Sequence, residues 1–396
     1  MKLLDIKKRQ GIPPLRSALC LINTAILGKK SLNAAGKVSD LGIICASGLS
    51  QFPEDSHFHL HLESSSIRSI REAMIWGSKV LYQLGLIRGE VVNLDTHFAG
   101  YFGASLIGKD KHPTRNISLP GIKFYYAQDS LEKEPLYLEP HYTEGKPVDV
   151  ALPLIDATLK VIDTKDVRFI FDRWFSVGQL REFLDKNYQV EFVTLLRLHR
   201  NRVKEMQRIP KDRFRRLNET QRIAVTTTSI RNYTGKLKLI VIEEEDADPP
   251  LRGYLTNVQE DIEPRLIWEY SKRWRIENFF KENLFLHLDH LPGIDLAKIN
   301  LLLYYKKAAY HAVSVFKKSL PDEHKNKHIQ TIVEDFLEAE AFVKKRGDRI
   351  RVSFVAHRYE DILQPIFSKI DHKLEEKGIK PVYPWLNDHK IEFEFK

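Results

Sequence analysis

The spacing of apolar residues predicts that residues 1–87 are mostly helical. PPLRSALCLINTAILGK is apolar at helical spacing, and SSSIRSIREAMIWGSKVLYQLG places Ile67, Ile70, Met74 and Leu81 on one stripe. Between these two stretches, HFHLHLE alternates polar with apolar residues, which indicates a half-exposed strand or a loop. On a strand its three histidines would share one face, so a zinc site is an alternative that this pattern leaves open.

From Val91 onward the pattern changes to short β-rich runs. VVNLD, which ends at Asp95, GIKFYYAQ and LYLEPHYT are predicted strands. They are followed by a helix (VDVALPLIDATLKVI), a strand that ends at Asp172 (RFIFD), a helix (SVGQLREFLDKN) and a strand (QVEFVTLL). The predicted order is therefore β-β-β-α-β-α-β.

The remaining third of the chain mixes strands and helices. RIAVTTTSI and KLKLIVIEEE are β-rich runs that could pair, RGYLTNV is a further strand, and Pro264 begins a helix predicted to reach Leu286. From about Leu291 we predict a helix through INLLLYYKKAAYHAVSVFKKSL and a second one near TIVEDFLEAEAFVKK. A turn at RGD then leads into a strand, RIRVSFVA.

Composition narrows the class of protein. The chain has 396 residues, 43% of them hydrophobic, which is enough for a buried core and argues against intrinsic disorder. No apolar run approaches the length of a bilayer span, and the charged, proline-containing start does not resemble a signal peptide, so we expect a soluble protein. Two cysteines exclude a disulfide framework and a purely cysteine-based zinc site. The expected compartment is the cytoplasm, at the nucleoid.

The positive charge is concentrated in one segment. Residues 196–238 contain 13 Lys or Arg against 3 Asp or Glu, a surplus of +10, while the whole chain carries +9. A surplus of this density favours binding to a phosphate backbone, and a solvated helix face is the alternative. The candidate DNA contacts here are Arg200, Arg202, Lys204, Arg208, Arg213, Arg215 and Arg216.

Three acidic residues are candidate metal ligands. Asp95 and Asp172 each end an apolar strand, and Glu277 lies within a predicted helix. Carboxylates from two neighbouring strands and a packed helix can hold two Mg²⁺ ions about 4 Å apart, with Mn²⁺ as a substitute. On that helix Tyr270, Arg273, Glu277 and Lys281 share one face, which suits a ligand beside a phosphate clamp. The alternative is a solvated ladder of ion pairs.

The stretch YSKRWRIENFFK resembles the Tyr-x2-Arg-x3-Glu-x6-Lys signature of bacterial insertion-sequence DDE transposases. Its Tyr, Arg and Glu fall on Tyr270, Arg273 and Glu277, while VVNLDTH and FIFDRWFSVGQLREFL resemble the blocks that carry the two aspartates. The resemblance implies an α/β fold with an RNase H-like mixed five-stranded sheet, flanking helices, a β-rich basic insertion, and helical N- and C-terminal regions. We expect five regions: residues 1–87 (helical, DNA-binding), 88–195 (first part of the catalytic core), 196–252 (insertion), 253–290 (last core strand and Glu-bearing helix) and 291–396 (helical with a β-hairpin).

The resemblance also implies an activity. A DDE transposase cuts double-stranded DNA at mobile-element ends with two Mg²⁺ ions and joins the ends to target DNA, as a dimer in the DNA-bound complex. Two positions depart from the family pattern: Leu284 stands at the signature lysine, and Thr96 stands where many members have a second acidic residue. The alternatives are a catalytically decayed DNA-binding relative and a nuclease of the same fold without strand transfer.

Overall fold

The structure, a computed structural model, describes residues 4–6, 11–111, 117–143, 145–244, 247–273, 287 and 290–395. The chain forms two compact units. One comprises residues 74–280, and the other combines residues 1–73 with residues 281–396.

The first unit is built on a mixed sheet whose first five long strands have the RNase H-like order. Strands β1, β3 and β4 are antiparallel neighbours, and β5 and β6 run parallel to β1, giving β4-β3-β1-β5-β6. This arrangement confirms the predicted strand succession and the predicted fold class. A short strand, β2, also pairs with β3. The strands are β1 (Val91–Gly100), β2 (Lys109–Lys111), β3 (Ser118–Asp129), β4 (Pro135–Tyr142), β5 (Arg168–Phe171) and β6 (Glu191–Leu195).

The β-rich insertion extends this same sheet. β10 pairs antiparallel with β6, and β9, β8 and β7 continue outward. Within the described residues the five-stranded core and the β-rich insertion therefore form one sheet of ten strands. The predicted pairing of RIAVTTTSI with KLKLIVIEEE is confirmed as β8 with β9. The added strands are β7 (Arg215–Arg216), β8 (Gln221–Thr228), β9 (Leu237–Glu244) and β10 (Leu251–Thr256).

Helices cover this sheet and bury its apolar residues. β5, whose four residues are all buried, lies between β1 and β6, as expected for a strand packed on both faces. Leu266 packs with Val91, Ile170 and Val193 in one core cluster, which joins a helix to three strands. The helices of this unit are α6 (Pro147–Ile162), α7 (Gly178–Glu182), α8 (Arg200–Gln207) and α9 (Glu263–Lys272). The helix predicted from Pro264 to Leu286 is described only as α9, because residues 274–286 lie outside the described residues.

The second unit packs the two ends of the chain around one core. Leu21, Phe58 and Leu62 from the N-terminal helices share an apolar cluster with Leu301 and Tyr305 from a long C-terminal helix. The N-terminal helices are α1 (Pro14–Ile26), α2 (Leu32–Gly36), α3 (Leu41–Ala46), α4 (Asp55–Leu62) and α5 (Ile67–Gln83), the last of which continues into the first unit. The C-terminal helices are α10 (Leu296–Ser319), α11 (Asp322–Lys325), α12 (Ile329–Ile332), α13 (Glu360–Phe367) and α14 (Ile370–Glu376).

Two predictions for this unit are wrong. The HFHLHLE stretch forms helix α4, because a helix places Phe58 and Leu62 one turn apart and buries both. The second predicted C-terminal helix stops before Ala341, where the chain enters a sheet of three strands, since pairing with the next strand replaces the helical hydrogen bonds. These strands are β11 (Ala341–Arg346), β12 (Arg349–Phe354) and β13 (Lys390–Phe395).

Candidate active site

The carboxylates of Asp95 and Asp172 come from adjacent parallel strands. Leu94 of β1 pairs with Phe171 of β5, so each aspartate is the next residue along the chain. β5 ends at Phe171, but β1 continues through Asp95 to Gly100, beyond the predicted strand end, because it stays paired with β3. Because the two strands run in the same direction, both residues lie at the same end of the paired segment. The side chain of Asp95 is 12% exposed, and that of Asp172 is partly buried. The juxtaposition predicted from the sequence is therefore present.

Backbone amides orient both carboxylates. The Thr96 N–H donates to Oδ1 of Asp95, and the Trp174 N–H donates to Oδ1 of Asp172, each over 2.8 Å. The chain turns back on itself after β5, which is why the amide two residues beyond Asp172 can reach its side chain. Each bond leaves a second carboxylate oxygen for other partners.

Arg273 occupies the second oxygen of Asp95. Its Nη1 donates to Oδ2 of Asp95 over 2.7 Å, and its side chain is 17% exposed. Burial alone would lower the pKa of Arg273, but the nearby charges of Asp95 and Asp172 outweigh burial and raise it. The guanidinium is therefore a permanent cation beside both aspartates.

Tyr270 lies one turn before Arg273, on the same side of α9. The guanidinium carbon of Arg273 is 5.8 Å from the centre of the Tyr270 ring, and this ring packs edge-on against Tyr254. Burial raises the pKa of Tyr270 to about 12, so its phenol stays protonated near neutral pH. The structure therefore places Tyr270 beside Arg273, which contacts Asp95.

A buried ion network anchors α9, and sequence reasoning missed it. Arg168, the first residue of β5, donates to Glu269 over 2.5 Å and also pairs with Glu191 of β6. Arg265 pairs with the other oxygen of Glu269 over 2.8 Å. Two features of the sequence could have indicated this network. Arg168 is a charged residue at the start of an apolar strand, and Glu269 lies four residues before Arg273 on the same helix face. This network ties α9 to β5 and β6 and so sets where Arg273 lies.

An aromatic cluster flanks Asp172. The Trp174 ring lies 5.4 Å from Tyr125 and 4.9 Å from Phe175, and Lys123 sits over Trp174 at 5.4 Å. Phe175 is completely buried, so it packs in the core, whereas Trp174 is partly exposed.

Some cations of the basic segment bind other protein groups, whereas others are exposed and form no ion pair with a described residue. Arg202 donates to Glu205, Thr228 and the backbone oxygen of Ser229, so it supports the fold of the insertion. Arg215 pairs with buried Glu263 over 3.0 Å, and Arg216 donates to a backbone oxygen. The candidates whose side chains are exposed and for which no ion pair is found in the described residues are Arg200, Lys204, Arg208 and Arg213.

Glu277, Lys281 and Leu284 lie outside the described residues, so the structure does not test their predicted positions. Within the described ranges, no group of three His, Cys, Asp or Glu side chains is arranged to hold a metal ion. Asp95 and Asp172 do fit Mg²⁺ in donor chemistry, because both offer hard carboxylate oxygens from positions that adjacent strands fix. They would supply two of the three predicted ligands.

The three histidines of α4 do not form a zinc site. His57 bonds the hydroxyl of Ser17, and His61 bonds the hydroxyl of Tyr305, each over 2.8 Å. Burial, together with the nearby His57, lowers the pKa of His61 to about 4, so the ring is neutral at physiological pH. These contacts are structural.

Comparisons with known proteins give one family match. A sequence model of the family described as Transposase DDE domain matches residues 111–311, just over half of the chain. That range contains Asp172 and the position of Glu277, and it begins after Asp95. No curated protein sequence matches the chain.

One solved structure is similar over much of the length. It is a cryo-EM structure of piggyBac transposase in a synaptic complex with hairpin DNA. The two share 14% sequence identity over 82% of this chain and 73% of that one, with a TM-score of 0.45. Separately, none of the described helices is both long enough and apolar enough to cross a membrane.

Proposed function

The chain belongs to the transposase DDE domain family, and from that premise we propose that it cuts DNA at mobile-element ends and joins those ends to target DNA. As a member of this family it is an enzyme that cuts and transfers DNA. The observation that carries the proposal is the pair Asp95 and Asp172, which directly follow the last paired residues of two adjacent parallel strands. Together with Glu277, they are the catalytic residues in this proposal.

DDE transposases generally use divalent metal ions, and we propose that this chain uses two Mg²⁺ ions, with Mn²⁺ as a substitute. Asp95, Asp172 and Glu277 would hold them. When bound, such a pair makes a water or a 3′-hydroxyl a better nucleophile and stabilises the leaving oxygen of the phosphodiester. The free carboxylate oxygen of Asp172 supports this assignment, since it makes no hydrogen bond to any residue that the structure describes.

The groups around the two aspartates hold the carboxylates in place. The amides of Thr96 and Trp174 restrict the rotation of the two carboxylates, and Arg273 holds Asp95 from the other side. A guanidinium also matches phosphate oxygens in pairs, so Arg273 is suited to bind the DNA backbone next to the reacting bond. The protonated Tyr270 phenol is suited to donate to the same backbone.

The basic segment supplies the DNA-binding surface in this proposal. Arg200, Lys204, Arg208 and Arg213 are exposed. We also assign a phosphate contact to Lys281, in place of the signature lysine whose position Leu284 occupies. Arg202, Arg215 and Arg216 are held by protein groups, so we assign them mainly to the insertion's own structure. We further propose that the chain acts at the nucleoid in the cytoplasm and forms a dimer that holds two DNA ends.

The experiment that tests the function removes one charge from the site. Asp172→Asn and Glu277→Gln each preserve shape, so metal-dependent cleavage of a duplex carrying the element end should fall by orders of magnitude. DNA affinity measured with EDTA should stay within a few-fold. Asp166→Asn is the control, because Asp166 is an exposed carboxylate near the opposite end of β5. If Asp172→Asn cuts as well as the parent, the catalytic assignment is wrong.

The same assay separates the two alternatives. A decayed DNA-binding relative would bind the duplex yet fail to nick a supercoiled plasmid with Mg²⁺ or Mn²⁺. A nuclease without strand transfer would cut, but it would give no joined products when supplied with a pre-cut end and target DNA.

A further inference from the structure

The C-terminal sheet has one apolar face and one charged face. β11 and β12 form an antiparallel hairpin, and β13 runs parallel to β12. Val352, Phe393 and their neighbours on alternate positions make the apolar face, where Phe367 of α13 packs against Phe393 with ring centres 4.4 Å apart. The residues between them point to the opposite face.

Cations occupy one complete row of the charged face. Arg346, Arg349 and Lys390 lie directly opposite one another across the three strands. In the next row Lys344 lies opposite Arg351. Like charges placed directly across a sheet are destabilising, so this arrangement weakens the free protein.

Acidic side chains neutralise only part of this face. Glu392 pairs with Arg349, and Glu394 pairs with Arg351 over 3.1 Å. On the edge strand β11, Lys344 and Arg346 are exposed, and neither forms an ion pair within the described ranges. Phe342, which shares their face, is 69% exposed. The uncompensated charge therefore lies along the outer strand, next to an exposed aromatic ring.

We propose that this hairpin face, defined by Phe342, Lys344, Arg346, Arg349 and Lys390, binds the phosphate backbone of double-stranded DNA. The choice of DNA as partner rests on the proposed function. A polyanion relieves the repulsion within the cation row and gains affinity by releasing its own counterions. The chain would then hold DNA through two separate surfaces, this face and the basic segment 196–238.

Protection of an edge strand is the competing explanation, since exposed lysines on an edge discourage pairing with other chains. That explanation accounts for Lys344 on β11. It does not call for Arg349 on the central strand, opposite Arg346. Charge complementarity to DNA accounts for the whole row.

The test uses the full chain with Lys344→Gln and Arg346→Gln combined. Its control is Lys373→Gln combined with Lys377→Gln, which removes two exposed cations from the α14 region outside the sheet. Affinity for an unrelated duplex is measured in EDTA across a salt series. The hairpin variant should bind about tenfold more weakly at 0.1 M salt and lose about 1.8 from the slope of log affinity against log salt. Its melting temperature should be unchanged or higher, because the cation row loses a member.

Equal affinity and equal slope in the two variants would overturn the inference. The same holds if the hairpin variant binds DNA normally but aggregates, because edge protection would then explain the cations. The readout is independent of catalysis. If the parent shows no metal-dependent cleavage and the hairpin variant still loses affinity, only the proposed function fails. If the parent cleaves and the hairpin variant binds like the control, only this inference fails.

Discussion

Replacing Arg273 with alanine tests whether the ion pair with Asp95 shapes the site. Both side chains are largely buried, at 17% and 12% exposure, and their atoms are 2.7 Å apart. Removing the guanidinium takes one cation away from the Asp95 carboxylate in a poorly solvated position. Breaking a buried pair in this way costs about 3 kcal/mol of the free energy of unfolding. We expect that loss in urea unfolding of Arg273→Ala with EDTA present.

Arg265→Ala is the matched control on the same helix. Arg265 also pairs with a buried carboxylate, that of Glu269, but its side chain is 61% exposed. Glu269 keeps Arg168 as a second partner, so no carboxylate is left alone. The expected cost is below about 1 kcal/mol. If the two variants lose the same stability, the reasoning about Asp95 is wrong.

Added Mg²⁺ should partly restore the Arg273 variant. In the parent, Arg273 and a bound cation compete for the Asp95 carboxylate, and the variant removes that competition. At ten times the dissociation constant, binding to the folded state alone adds about 1.4 kcal/mol. We expect a larger gain in Arg273→Ala than in the parent, measured by the same unfolding assay. Equal gains would mean that Arg273 does not share Asp95 with a metal ion.

Two further predictions concern DNA affinity and pH. Replacing Arg200 and Lys204 together with glutamine should weaken binding to every duplex and reduce the salt slope by about 1.8, while the Lys373/Lys377 control keeps the parent slope. An unchanged salt slope would mean that α8 does not contact DNA and is only a solvated surface. The folded-state pKa of His61, about 4, lies below its value of 6.5 in the unfolded chain, so the unfolded state takes up the proton first as the pH falls. Stability should therefore drop by about 3 kcal/mol between pH 6.5 and pH 4, and His61→Gln should lack this part of the drop in urea unfolding; an equal drop in both proteins would contradict it.

Many of the site residues could be predicted from the sequence, because the patterns that indicate them involve residues close together in the chain. Asp95 and Asp172 end apolar runs in the sequence, and the RNase H-like strand order that the resemblance implies places their two strands side by side. Tyr270 and Arg273 share a helix face through their spacing of three residues. The ion network of Arg168, Glu191 and Glu269 could not be predicted in this way. Each of its charges alone resembles a surface residue, and only packing brings them together and buries them.

Local pattern also failed where tertiary contacts outweighed it. HFHLHLE has the alternation of a strand, but as a helix it buries Phe58 and Leu62 in one core and brings His61 to Tyr305, which lies 244 residues away. AFVKK has no strong preference for helix or strand, and it forms an edge strand because β12 offers backbone hydrogen-bond partners.

By itself the sequence determined the succession of strands and helices in the catalytic unit, the position of the basic segment and the resemblance to DDE transposases. Each strand, helix and motif depends on residues within about 20 positions of one another, where periodicity and spacing hold the information. The tertiary structure alone decided that the two chain ends share one core, that the insertion extends the sheet through β6 and β10, and that Arg273 pairs with Asp95. Arg273 and Asp95 are 178 residues apart. A pairing over that distance is selected by burial and charge in the folded chain, because no local pattern distinguishes it from the many other Arg–Asp pairs that the composition allows.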